Sequence, residues 1–388
     1  MLQGPGSGAD GYTVTDDRAR IRVCHLIHDL GPGGAEHVLV DLARAAAPAG
    51  IDMTVVSMMP TTGLRYPEML RNLGVAVHAL DLRAWWDSRG PRRLGRVVAD
   101  LRPQVLHSHL KHADVVAGRV AASTGIPHVS TLHVIEDEVS GLARLKRRLA
   151  TRSRRRTAAV TIAVSDAQRN WYLAVSGEDP QRVVTLRNGV PDPGPVDPGM
   201  RSAVRSELGV APDAIVAAMV AVMRPGKGHD VLLDAVPHLD RSVVVVLAGD
   251  GELMAHIAER AGRHPGRVVV AGFCEDVPRL LACADLVVHP SLADALPTAL
   301  VHAAAAGLPV VASEVGGIPE IVTGESGILV PPGDPGALAD AVNRLAADPD
   351  ARTWMGQAAR QRYRALFSSS VWVGELRRIY GTVLRAAR

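Results

Sequence analysis

From Ile21 onward, short apolar runs alternate with longer segments in which apolar residues recur every three or four positions. The short runs predict strands at Arg22–Ile27, Met53–Ser57, Val75–Ala79, Val105–His107, His128–Leu132, Val160–Val164 and Val183–Leu186. Helical segments fill most of the gaps, beginning with a glycine turn and a helix from Ala35 to about Ala47. The pattern breaks between Gly189 and Gly199. Four prolines there, Pro191, Pro193, Pro195 and Pro198, together with Gly194, are too many for a helix or a central strand. The alternation then restarts, with strands at Ile215–Val220, Ser242–Ala248, Arg267–Ala271, Leu286–His289, Pro309–Ala312 and Gly327–Val330. Helices are expected near Asp230–Pro237, Glu252–Gly262, Val277–Cys283 and Leu296–Ala306, with a helical tail from Gly336 to the end. Repeated strand–helix–strand units imply parallel sheets covered on both faces. The fold class is therefore α/β: two Rossmann-like, doubly wound domains face a central cleft, and ligands bind at the carboxyl ends of the strands. The expected division is a flexible tail or cloning scar over 1–18, a first domain over 19–190, a linker over 191–200, a second domain over 201–370, and a final helix over 371–388 able to cross back to the first domain.

Composition narrows the function. A hydrophobic fraction of 47% and a charged fraction of 21% over 388 residues belong to a globular chain. A net charge of +3 and only 3% aromatic residues speak against nucleic acid as the main partner. Cys24, Cys274 and Cys283 are too few and too scattered for a disulfide framework or a structural zinc site, which fits a reducing, cytoplasmic setting. The longest apolar stretches, such as Ala214–Met223 and Ala299–Ala312, fall short of the ~18–20 residues a membrane span requires. The glycine-rich start lacks the basic and apolar regions of a secretory signal.

Three segments carry chemistry. Leu30-Gly31-Pro32-Gly33-Gly34-Ala35-Glu36 follows the first strand and opens a helix, so its backbone N–H groups suit a phosphate. It is not a dinucleotide fingerprint, because Glu36 stands where the third glycine belongs, and a plain tight turn is the simpler reading. Met223-Arg224-Pro225-Gly226-Lys227-Gly228-His229 follows the first strand of the second half. Lysines are only three of the 43 basic residues, so Lys227 beside Arg224 suggests a point charge paired with a forked guanidinium at a diphosphate, against the alternative of a solvated loop. The third segment, Pro290 to Val311, carries Asp294 on a loop and His302 on the helix that follows; a helix-start charge and a packed histidine are the alternatives. His109 and His133 stand at successive strand ends. The basic run Arg144–Arg156 lies on a helix without an acidic residue, as either a solvated face or a site for anionic lipid headgroups or a phosphorylated acceptor. Trp85 and Trp86 sit on an expected cleft-side loop. In Asp348-Pro349-Asp350, the second aspartate reads as a helix cap rather than a metal ligand.

Taken together, these segments resemble family 4 glycosyltransferases, which have the GT-B fold. The glycine turn resembles that family's Gly-Gly-Ala-Glu start, and Arg224 with Lys227 its Arg-x-x-Lys-Gly element. Asn188-Gly189-Val190, Gly249-Asp250-Gly251, Glu314 to Glu320 and Gly327 to Asp334 resemble further blocks. The resemblance implies retaining transfer of a sugar from a UDP-, GDP- or dTDP-linked donor to an acceptor hydroxyl on a glycan, lipid-linked or small-molecule acceptor, with neither cofactor nor metal. It implies catalytic roles for His109, Asp294, Arg224 and Lys227. It implies donor contacts from Gly33, Gly34, Arg224, Lys227, Gly251, Phe273, Asp294, Ala295, Leu296, Pro297, Thr298 and His302. Acceptor-side candidates are Glu36, His133, Trp85 and Trp86, the tryptophans either stacking on an acceptor or packing locally. The family carries two glutamates separated by seven residues, and here Asp294 and His302 take their places. An imidazole cannot match a ribose diol as a carboxylate does, which points to a thymidine-diphospho donor. The altered pair leaves open a noncatalytic nucleotide-sugar binder or a supporting subunit of a two-chain transferase. An epimerase or phosphorylase of the same fold is the remoter alternative.

Overall fold

A computed structural model describes residues 20–84, 86–136, 141–195 and 197–387. The first sheet contains β1 (Ile21–Ile27), β2 (Ile51–Ser57), β3 (Ala76–Ala79), β4 (Val105–His109), β5 (His128–Thr131), β6 (Ala158–Ala163) and β7 (Val183–Thr185), in the order β3-β2-β1-β4-β5-β6-β7. The second contains β8 (Ile215–Val220), β9 (Val243–Ala248), β10 (Val268–Gly272), β11 (Leu286–His289), β12 (Val310–Ser313) and β13 (Gly327–Val330), in the order β10-β9-β8-β11-β12-β13. Every pairing is parallel. Runs such as Val243–Ala248 bury side chains on both faces of the sheet, which is why they read as continuous apolar stretches rather than alternating ones. In each sheet the winding direction reverses beside the first strand, between β1 and β4 and between β8 and β11. The crevice outside the carboxyl ends at such a reversal is where ligands bind in this architecture.

The proline-rich segment ends earlier than its composition suggests. A helix starts at Pro198, and Asp197 caps it by accepting from the Met200 amide at 3.1 Å. Proline suits a first helical turn, where its missing N–H leaves no bond unmade. The helical tail is three helices, Pro335–Ala347, Pro349–Leu366 and Ser369–Ala386. In Asp348-Pro349-Asp350 it is the first aspartate that caps: Asp348 accepts from the Ala351 amide at 2.8 Å.

The last helix packs mainly on the first half rather than on the second half that runs up to it. Trp372, Val373, Leu376, Tyr380 and Val383 are buried in the core of the first half, together with Leu39 and Val40. The chain crosses between the halves at Val190 and again near Phe367, and the two crossings are hydrogen-bonded to each other. Val190 donates to the Phe367 carbonyl at 3.0 Å, and Ser369 donates to the Val190 carbonyl at 2.9 Å. Among the described residues, no helix is long and apolar enough to cross a membrane.

Candidate active site

Two adjoining cavities occupy the cleft. One, of about 300 Å³, is lined from the first half by Gly33, Gly34, Glu36 and His133, and from the second by Arg224, Lys227, Asp294, Leu296, Pro297 and Thr298. The other, of about 100 Å³, shares Gly33, Gly34 and Thr298 and adds His37, Tyr66, Phe273 and His302. Gly33 precedes the helix Gly34–Ala46, so the start of that helix lies at the junction of the cavities, with the Glu36 carboxyl folded back over it.

Close backbone approach positions the second-half residues. Gly228 has φ +79°, and a Cβ there would lie 1.9 Å from the Pro290 carbonyl oxygen. Only glycine lets the Arg224–Gly228 turn sit against the end of β11. Gly316, at φ +52°, abuts the loop after β11 in the same way, with a Cβ 1.8 Å from the Asp294 carbonyl oxygen. Gly317 also donates to that oxygen at 3.1 Å. These two glycine contacts bring Lys227 Nζ within 2.5 Å of Asp294 Oδ2. His289 Nε2 lies 3.1 Å from the same oxygen. Burial alone would raise the Asp294 carboxyl, but the Lys227 charge and the His289 contact outweigh it and hold the group well below the usual carboxylate range. Arg224 is exposed and lines the cavity, with no carboxylate in ion-pair contact among the described residues. Glu36 behaves in the opposite way. Burial, reinforced by Asp29 and opposed by a backbone N–H and by Arg224, pushes its carboxyl up to about 8.

Four imidazoles fill the carboxyl edge of the first sheet. His109 Nδ1 lies 2.9 Å from His133 Nε2, and His109 Nε2 lies 2.9 Å from His25 Nδ1. His107 stacks on His109 with centroids 4.4 Å apart, and its own nitrogens meet Tyr380 Oη at 2.6 Å and Thr131 Oγ1 at 2.7 Å. Burial holds these rings neutral; His133 is pushed down to about 4, His25 to about 3, and His109 well below its usual value. Both ring nitrogens of His109 are thus occupied, and His133 lines the cleft in front of it.

His302 lies at a contact between the two halves. Its Nε2 is 3.1 Å from Asp41 Oδ2 on the helix Gly34–Ala46, and Arg44 Nη1 donates to Asp41 Oδ1 at 3.1 Å. Burial would raise the Asp41 carboxyl, and His302, His37 and Arg44 together lower it instead. Among the described residues, two groups bring three ligand-type atoms within 4.8 Å of one another: His25 with His107 and His109, and His37 with Asp41 and His302.

Other expected positions lie elsewhere. Gly251 packs on the Met223 backbone, and Ala295 is buried in the second core. Trp86 is 69% exposed and lines neither cavity, and Trp85 lies outside the described residues. Asp41, His37 and Tyr66 were not expected at the site. A charged Asp41 inside the apolar run Val38-Leu39-Val40-Asp41-Leu42, one turn after His37, was the available signal.

Comparison with known proteins decides the family. Residues 32–192 match the family described as Glycosyltransferase Family 4, and residues 214–348 match Glycosyl transferases group 1. Alpha-maltose-1-phosphate synthase of Mycolicibacterium smegmatis is 32% identical over 291 residues, covering 68% of this chain and 75% of the relative. The chain belongs to glycosyltransferase family 4. A D-inositol 3-phosphate glycosyltransferase from Kribbella flavida is 28% identical over 366 residues, covering 84% and 85% of the two chains. Among solved structures, Anabaena Alr3699/HepE in complex with UDP-glucose superimposes with a TM-score of 0.82 at 24% identity, covering 95% of this chain and all of that one. Sucrose-phosphate synthase from Thermosynechococcus elongatus gives 0.78 at 19% identity. The two-sheet architecture is thus GT-B, and the family 4 member described here is a glycosyltransferase enzyme.

Proposed function

We propose that the enzyme moves a sugar from a uridine-diphospho donor to a hydroxyl of an anionic, phosphate-bearing acceptor, with retention at the anomeric carbon and without a metal. The observation that carries this reading is the meeting of Arg224, the Lys227–Asp294 pair and the Gly33–Gly34 helix start around one cavity. The second half, within 201–370, binds the donor, and the first half, within 19–190, receives the acceptor. As the anomeric C–O bond breaks, negative charge gathers on the leaving diphosphate. Arg224, Lys227 and the helix-start amides are already placed for it, which is the arrangement that lowers a barrier without reorganisation. These cations supply the counter-charge, so the transfer is proposed to need no metal. Asp294, kept ionised, accepts hydrogen bonds from sugar hydroxyls. The acceptor oxygen attacks on the leaving-group face, and its proton passes to the departing phosphate oxygen, so no separate enzymatic base is required. His133, neutral at the cleft, faces the sugar, and His109 behind it fixes its ring. The uridine donor is supported by the UDP-glucose in the solved Anabaena neighbour, in place of the thymidine-diphospho donor expected from His302, and His302 can still meet a ribose. With Nε2 held by Asp41, its buried Nδ1 has no partner and can accept from one ribose hydroxyl.

The acceptor class is supported from two sides. Both relatives named above carry a phosphorylated compound in their names. A cavity of about 320 Å³ leads from Arg224 and His133 past Lys111 and Arg147. The test supplies UDP-glucose, a chelator, and either inositol 3-phosphate or its unphosphorylated counterpart as probe. The expected result is UDP release stimulated by the phosphorylated probe alone, with the product's anomeric NMR coupling unchanged from the donor's. Inversion, or abolition of turnover by the chelator, overturns the reading.

A further inference from the structure

The helix Gly141–Thr157 carries a second pattern outside the cleft. Leu142, Leu145 and Leu149 are 59%, 50% and 41% exposed. Their spacing of three and four sets them on one face, so they form an apolar ridge directed away from the protein. Val175, on the neighbouring helix Asp166–Ser176, is 43% exposed as well. Beside the ridge runs a groove of about 810 Å³ whose charged lining is arginine: Arg147, Arg148, Arg152, Arg155 and Arg156 among them, and no acidic side chain among the described lining residues. The inner face of the helix is anchored by Arg154, whose Nε donates to the buried Asp114 at 2.8 Å. The ridge and the cationic groove therefore belong to a fixed, outward-facing surface.

Neither half of this pattern suits the cleft chemistry. Charge alone would fit any polyanion, but an apolar ridge beside it has no counterpart on a nucleic-acid backbone. A bilayer interface offers both, acyl chains for leucine and headgroup phosphates for arginine. We infer that the helix Gly141–Thr157 seats the enzyme on an anionic lipid surface, with Leu142, Leu145 and Leu149 entering the interface and the arginines of the adjoining groove at the headgroups. The groove shares Arg147, Thr151 and Val175 with the cavity that runs on to His133 and Arg224. A lipid-borne acceptor drawn from that surface reaches the cleft along this route, a corollary that rests on the proposed function, whereas attachment itself does not.

The test is flotation of the full-length protein with vesicles of phosphatidylcholine alone and of phosphatidylcholine with phosphatidylglycerol in equal parts. The wild type floats with the anionic vesicles and not with the neutral ones. Arg148→Glu with Arg152→Glu lowers that binding more than about tenfold. Leu145→Ser with Leu149→Ser removes the fraction that survives added salt. Unchanged melting temperature and unchanged UDP binding in both pairs show that fold and donor site are intact, and the flotation contains no donor, so a failed donor assignment leaves its outcome readable. Equal binding to both vesicle types, or leucine variants indistinguishable from wild type at every salt concentration, overturns the inference. So does binding to single-stranded RNA without binding to vesicles.

Discussion

Asp294 and Lys227 form a close ion pair in the cleft, where both are largely buried, and the Lys227 charge helps keep the Asp294 carboxyl ionised. Lys227→Ala should therefore act twice, removing a diphosphate contact and releasing the restraint on the Asp294 carboxyl. Binding of UDP should weaken by ~1.5–3 kcal/mol, while uridine binding changes little. Calorimetric titration of both ligands checks this, and parallel losses would show that Lys227 does not address the phosphates. Asp41→Asn tests the support behind His302. The amide keeps the size but loses the charge facing His302 and Arg44, and UDP affinity should fall about tenfold, or ~1.4 kcal/mol. An unchanged affinity would assign Asp41 to stability alone. His302→Glu is the poorer test, because it would set a second carboxylate against the buried Asp41. Arg224, Lys227 and Asp294 could be found in the sequence because glycine turns and strand ends announce them. Asp41 could not be assigned there. Its partner lies 261 positions away, on the opposite half, and no local pattern encodes a contact made only when the halves face each other.

The first half combines neutral imidazoles and a protonated carboxyl, and their pH dependences have opposite signs. His25, His128 and His133 are pushed from about 6.5 down to about 3, 4 and 4 by burial. A depressed folded-state value means stability that is present above 6.5 and lost as pH falls through 4, since the unfolded chain then binds more protons. Glu36, raised to about 8, adds stability below its ordinary value of 4.5 that is lost as pH rises through 8. The melting temperature should therefore decline on both sides, more steeply toward acid, where three groups act together. Histidine ring NMR checks the assignment: the three buried rings should stay neutral until the protein unfolds, and titration of any of them near 6.5 would contradict it. Most strands were legible as short apolar runs because parallel strands are buried on both faces. Boundaries near proline were less so. Pro198 reads as a breaker by composition, yet it begins a helix, because the aspartate before it supplies the cap.

At the scale of the molecule, the two chain crossings lie side by side at Val190 and Phe367, joined by backbone hydrogen bonds, so a closure of the halves would have to pivot there. Trp372, just past the second crossing, is 4% exposed in the core of the first half. Trp372→Ala should lower the unfolding free energy by ~3–5 kcal/mol. The same variant should lose amide protection in β1 and β2, far away in sequence, with β8 and β9 unaffected. Hydrogen exchange read by mass spectrometry tests this, and loss confined to the last helix would show that the helix only rests on the surface.

That helix also determines the order in which the chain can be completed on the ribosome. The second half is contiguous from Pro198 to Leu366 and has all its strands once that stretch has emerged. The first half is synthesised earlier, but its core lacks Trp372, Leu376, Tyr380 and Val383 until the helix Ser369–Ala386 has been made. The half made first is therefore sealed after the half made second, and a nascent chain halted before Trp372 exposes the apolar surface of the helix Gly34–Ala46 for a chaperone to cover.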